Sequence, residues 1–245
     1  MKIINAVWEK RNLGVSTVEI VIENKDDVNE FLNLLPEIVS EYGYIVIKFP
    51  AGLIKFANML VDNGFRFIEC AVACHYNIGK EYNLNSIQKR LFNNCSYHIM
   101  NNDDFEELHT NICNILFETD RIALDPYFTL QQANDRYWGW INDEISRGSE
   151  IYKIQYKDKS AGFFGIKGSN DKPFEFLAGV YKTFQNVGIG SIINCMAIDT
   201  VKKQGASELL GSFSTNNSGA FAIHMSMGYV LDNVEYVFVK HNNIQ

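Results

Sequence analysis

The chain's five cysteines, Cys70, Cys74, Cys95, Cys113 and Cys195, are an odd number with no Cys-x-x-Cys pair. That excludes the usual disulfide framework and the zinc ribbon, and implies reduced, mostly buried thiols. Basic charge is also short: 22 lysines and arginines against 29 acids leave a net charge of -7, and lysine pairs such as Lys202-Lys203 stand isolated. No stripe exists to neutralise a phosphate backbone, so nucleic acid is a disfavoured partner. Long apolar runs are missing too. No stretch approaches the roughly 18 to 20 residues a membrane-spanning helix needs, and MKIINAVWEKRN lacks an uninterrupted signal-like core. The expectation is a cytoplasmic protein with no membrane partner. What is present, over 245 residues, is 47% hydrophobic and 13% aromatic composition, enough for one large domain or two small ones.

Periodicity divides the chain. Val28, Phe31, Leu32, Leu35, Val39 and Tyr42 recur at helical spacing after Asp26-Asp27 and stop at Gly43, with Pro36 expected to kink or split the helix. A strand over 44–49, a helix carrying Leu53, Phe56 and Leu60, and a strand over 65–75 complete an α/β unit without a glycine-rich phosphate loop. The polar stretch 77–104 reads as a boundary, giving an N-terminal α/β domain over 1–100 and a second domain over 101–245. No internal repeat is evident by pattern. Beyond it come a helix from Asp104, a Thr129-x-x-Gln132 capping box opening another, and strand runs over 151–156, 161–166 and 174–181 that form an antiparallel meander. A helix ending at Gly205, a strand over 207–213, a short helix from Asn217 to Gly228 and a last strand over 234–239 follow.

The chemistry sits at Gln185-Asn186-Val187-Gly188-Ile189-Gly190-Ser191, where a strand gives way to a helix. Backbone N–H groups at such a terminus are unsatisfied and attract an anion, and two glycines let a pyrophosphate approach the main chain. A P-loop would need Gly-Lys-Ser/Thr, and the lysine is absent. A dinucleotide fingerprint would need a small residue at Ile193 and an acid ending the next strand, where Ser214-Thr215-Asn216 stand instead. Gln-x-x-Gly-x-Gly opening a helix after a meander strand matches throughout.

With Val180 five residues before the glutamine, that pattern resembles motif A of the GNAT superfamily of acetyl-CoA-dependent N-acetyltransferases. Asn217, Ala220 and Gly228-Tyr229 resemble its Asn-x-x-Ala…Tyr-x-x-x-Gly-Phe element. Over 121–229, including Arg121, Asp125-Pro126-Tyr127-Phe128, Tyr137 and Trp140, the chain is further similar to bacterial dTDP-fucosamine acetyltransferases, and more loosely so before that. The resemblance implies an α+β GNAT fold, a mixed and mostly antiparallel sheet with flanking helices and a splayed central strand pair, preceded by a smaller α/β half without a cofactor site. It implies acetyl-CoA as co-substrate, held by main chain near Ala178 and Val180, by the loop from Gln185 through Asn186, Val187, Gly188, Ile189 and Gly190 to Ser191, and at Asn217. The acceptor would be the primary amine of a small molecule such as a nucleotide-linked amino sugar, and the state monomer or homodimer.

In that family a tyrosine seven residues after the asparagine protonates the leaving thiolate, and here the slot holds His224. Histidine's unperturbed pKa of about 6.5 suits proton transfer but leaves it partly protonated near neutrality. His224 then delivers the proton, merely orients the thioester, or marks a non-catalytic CoA-binding sensor or scaffold. No general base stands out; Glu175 is left unassigned. Cys70, Cys74 and His75 share one apolar run without a second ligand pair and read as core groups, so no metal is expected. Tyr137, Trp138 and Trp140 read as packing, and His98 and His109 as surface groups.

Overall fold

The computed structural model describes residues 1–242. Its elements are β1 (Lys2–Asn5), α1 (Val7–Leu13), β2 (Thr17–Val21), α2 (Val28–Glu41), β3 (Tyr44–Pro50), α3 (Ile54–Asp62), β4 (Arg66–Asn77), α4 (Ser86–Phe92) and β5 (Cys95–Ile99). Then follow α5 (Asn102–Cys113), α6 (Leu130–Ser146), β6 (Glu150–Tyr156), β7 (Lys159–Gly168), β8 (Pro173–Val180), α7 (Ile189–Lys203), β9 (Glu208–Ser214), α8 (Ser218–Met227) and β10 (Val230–His241). All ten strands form one sheet in the order β1-β2-β3-β10-β4-β9-β8-β7-β6-β5. Only β2/β3 and β8/β9 are parallel. This is the mixed, mostly antiparallel architecture expected. No helix among the described residues is long and apolar enough to cross a membrane.

Several elements follow the local code. Asp27 caps α2 through Asn29 N–H at 2.8 Å, and Thr129 and Gln132 form the capping box of α6. Other expectations need correction. α2 runs unbroken through Pro36 because its face, Phe31, Leu35 and Ile38, is buried against β2 and β3, which outweighs one missing hydrogen bond. The stretch read as a boundary contains α4 and β5. Its polar residues diluted the pattern, yet Asn85 and Gln88 form a capping box, and β5 pairs with β6 along five residues. The stretch before α2 holds β1, α1 and β2, with β1 and β2 paired antiparallel.

The structure also contains the repeat that pattern did not show. β2-α2-β3-α3-β4 and β8-α7-β9-α8-β10 have the same order, and exchanging β2 with β8, β3 with β9 and β4 with β10 reverses the sheet order onto itself. Its centre is the antiparallel β4/β10 pair, so each unit ends in a strand lying beside the other unit's inner strand: β10 against β3, β4 against β9. Residues on both sides of position 100 thus share one sheet. Helices α2, α3, α7 and α8 cover one face, and α1, α5, α6 and the segment 114–129 lie on the opposite one.

Candidate active site

The parallel partners β8 and β9 are paired at only two positions, Phe174 with Leu210 and Glu175 with Gly211. Beyond them the strands separate. A register shift explains why: against β7, Gly165 faces Leu177 and Ile166 faces Glu175, so Phe176 is the extra residue of a bulge. Bulges bend a strand and end its pairing. This one turns β8 away from β9 one residue after Glu175 and opens a wedge with Glu175 and Gly211 at its apex.

At the mouth of the wedge lies the glycine loop. Ala178 and Val180 form the β8 lip, and the Gln185 side-chain Nε2 donates to the Val180 carbonyl at 3.3 Å. Asn186 and Gly188 take positive φ values of 62° and 93°, and α7 starts at Gly188 with no side-chain cap. The first N–H groups of a 15-residue helix therefore point outward with the positive end of its dipole. A side chain at Gly190 would strike Ile223 Cδ1 at 2.7 Å, so this glycine lets α7 and α8 approach. Ile189 is fully buried and offers only its backbone, whereas Val187 is exposed. These groups fit the pyrophosphate and pantetheine of a CoA thioester: donors without lysine at one end, a backbone slot at the other. Asn217 is the N-cap of α8, its Oδ1 accepting from Ala220 N–H at 2.9 Å, so that oxygen is already engaged.

α8 brings His224 to the apex. Its Nδ1 lies 2.8 Å from the Ala220 carbonyl, which can only accept, so Nδ1 carries the hydrogen and Nε2 presents a lone pair in the neutral ring. Burial lowers its pKa, with the Ala220 bond partly opposing. The ring packs on Phe213 at 4.8 Å and Tyr229 at 4.6 Å, and Nε2 would be 3.9 Å from a Cβ placed on Gly211. Glycine here leaves open the space between His224, Cys74 and the wedge. The structure thus places a neutral imidazole where a protonated donor was one of the readings.

Glu175, unassigned from sequence, is a strongly perturbed group at this apex. It is buried, its Oε1 has no hydrogen-bond partner among the described residues, and burial pushes its pKa to about 8. Its sequence signal was a lone acid in the apolar run 174–180. Tyr229 has an equally unpartnered hydroxyl, and burial, then Glu175, raises it far above the usual phenol range. Cys74, raised by burial to about 12, donates weakly to the Gly211 carbonyl at 3.7 Å and is a packed thiol. It comes from β4, in the first unit. Elsewhere, a 520 Å³ depression at the other end of α7 holds Arg147 and Lys167, but both cations are bound to Glu144 at 3.1 and 3.0 Å.

No protein-family model and no curated protein sequence matches the chain. Solved structures do. A GCN5-related N-acetyltransferase from Sphaerobacter thermophilus matches with TM-score 0.66 and 10% identity over 98% of this chain and 75% of its own. A tandem GNAT protein from the clavulanic acid biosynthesis pathway gives 0.58 and 8%, over 94% and 76%. A GCN5-related N-acetyltransferase from Kribbella flavida gives 0.58 and 12%, over 94% and 82%. The fold is that of the GCN5-related N-acetyltransferases.

Proposed function

We propose that this protein transfers the acetyl group of acetyl-CoA to the primary amine of a small acceptor. The observation that carries the reading is the wedge between β8 and β9, with an uncapped glycine-flanked helix terminus at its mouth and His224 at its apex. Bound acetyl-CoA supplies an activated acyl carbon and a thiolate leaving group. The loop from Asn186 to Ser191 holds the pyrophosphate through N–H groups, and the Ala178–Val180 edge, freed from β9, offers main-chain partners to the pantetheine.

His224 acts as a proton shuttle. Neutral at rest, its Nε2 takes the proton of the attacking amine as the C–N bond forms. The resulting imidazolium returns that proton to the departing sulfur as the C–S bond breaks, which restores the neutral ring. Glu175 serves in its neutral form. With a pKa of about 8 its carboxyl stays protonated at neutral pH and adds no negative charge beside a developing thiolate.

The test is free thiol release from acetyl-CoA across a panel of amines, including the nucleotide-linked amino sugar that the sequence resemblance implied. Amine-dependent release, with product mass increased by one acetyl group, supports the reading. Acetyl-CoA binding with only background hydrolysis for every amine would leave a CoA-binding module instead.

A further inference from the structure

On the face opposite α7 and α8, the clusters around α5 and α6 cover β6 to β8, and those around α1 and residues 122–133 cover β3 and β10. Beside them the central strands β4 and β9 carry small residues on this face: Ala71, partly exposed at the edge of the second cluster, Ala73, also partly exposed, and Ser212, exposed although it lies in the middle of a ten-stranded sheet. This is a trough. It meets the wedge, because Ser212 is the residue after Gly211, where β8 and β9 part.

The trough is acidic. Glu69 projects on this face from β4, opposite Val237, and is only 9% exposed. Among the described residues it has neither a hydrogen bond nor an ion pair. Arg121, whose charge it senses, is held by Glu9 at 2.7 Å. Glu235, paired with Ala71 in the ladder, lies on the same face and is likewise without a partner among the described residues. Nearer the apex Asp232 holds His75 at 2.7 Å. Arg121 shares its field with Glu69 but makes no direct contact, so the Glu69 carboxylate keeps its hydrogen-bond acceptors for a cationic group in the trough.

We infer that this trough is the acceptor site and that it takes an extended aliphatic di- or polyamine, with a distal ammonium held by Glu69 and Glu235 while a terminal amine reaches the wedge. The inference rests on the acetyl-transfer reading for its chemistry but on the trough for its specificity. Length follows from the strand: Glu69 lies five residues before Cys74, the partner of Gly211, roughly 17 Å at about 3.4 Å per residue. Side-chain reach at both ends shortens the required span, which still exceeds that of a short diamine. The reacting end enters as the free amine and the distal end stays protonated, so one molecule meets both demands.

The test is a series of α,ω-diamines of increasing length beside monoamines of equal length, measured for kcat/KM with the full chain and, separately, for direct binding by calorimetry without acetyl-CoA. Long diamines should exceed matched monoamines by about tenfold or more in kcat/KM, and Glu69→Gln should bring that diamine-to-monoamine ratio close to one. Ser212→Lys, which puts a cation in the trough, should lower the same diamine-to-monoamine ratio and guards against a folding defect in the first variant. Equal rates for diamines and monoamines, or the same diamine preference in both variants, overturn the inference. If no amine is acetylated yet long diamines bind the wild type and not Glu69→Gln, the trough assignment stands and the acetyl-transfer reading fails.

Discussion

The two β-α-β-α-β units of this protein share one topology and differ in the pairing of their parallel strands and in the cap of their leading helix. In the first, β2 and β3 stay paired along five residues, Thr17 with Tyr44 through Val21 with Lys48. In the second, the bulge at Phe176 ends pairing after two. At the first unit's leading helix Asp27 caps the terminus with a carboxylate; at the second's, Gly188 leaves it bare. An anion is thus repelled at one terminus and invited at the other. The first unit has a closed strand pair and an acidic cap, and the second has the open pair and uncapped helix on which the proposed acetyl-CoA site rests, with no change in strand order. The units are nonetheless inseparable, since β4 and β10 lie at the centre of the sheet and each completes the other's unit.

The comparison is sharpened most by removing β10. Deleting residues 230–245 should leave β3 and β4 without their shared neighbour, and both units should lose cooperative unfolding and amide protection. A truncated chain whose first unit keeps its protection in hydrogen exchange would show that half to be independent. Next comes chemistry confined to one unit. His224→Ala should lower kcat about 10²-fold with little change in KM, and His224→Tyr should not restore it, because a protonated phenol cannot accept the amine proton. Recovery by tyrosine would assign the residue a donor role alone.

Making the second unit resemble the first is a test of comparable size. Gly188→Asp should abolish the thermal stabilisation by acetyl-CoA, about 2.7 kcal/mol at a hundredfold excess over Kd, and Gly188→Asn, bulky but uncharged, separates shape from charge. Persistence of the full shift in the Asp variant would remove the loop from the argument.

Glu175 adds a pH dependence. Its folded pKa, about 8, is above that of an unfolded glutamate, so the folded state holds the proton longer. This contribution is fully present below the unfolded value near pH 4, declines as pH rises between the two pKa values and is gone above about 8. Thermal melts should therefore fall more steeply from pH 5 to 8 in wild type than in Glu175→Gln, and wild-type kcat should decline as pH passes 8. Parallel melting profiles would show the carboxyl to be solvated. The smallest effect belongs to the first unit: Asp27→Ala should cost about 1 kcal/mol of stability by losing a helix cap, with acetyl-CoA affinity untouched.

Local rules in the sequence determined the helices with caps and apolar stripes, the meander, the glycine terminus of α7 and the positions of Asn217 and His224, because each depends on residues within one or two turns. The polar stretch 77–104 hid α4 and β5, since a helix with no buried residue and an edge strand have almost no hydrophobic period to detect. Tertiary structure alone decided three further things. The exchange of β4 and β10 joins residues some 160 positions apart, as Cys74 with Leu231 shows. The bulge that opens the wedge is a mismatch between β7 and β8, invisible in either strand by itself. The proton states of Glu175 and His224 come from burial by elements distant in the chain, and desolvation is a property of surroundings that a residue's own neighbours in sequence do not specify.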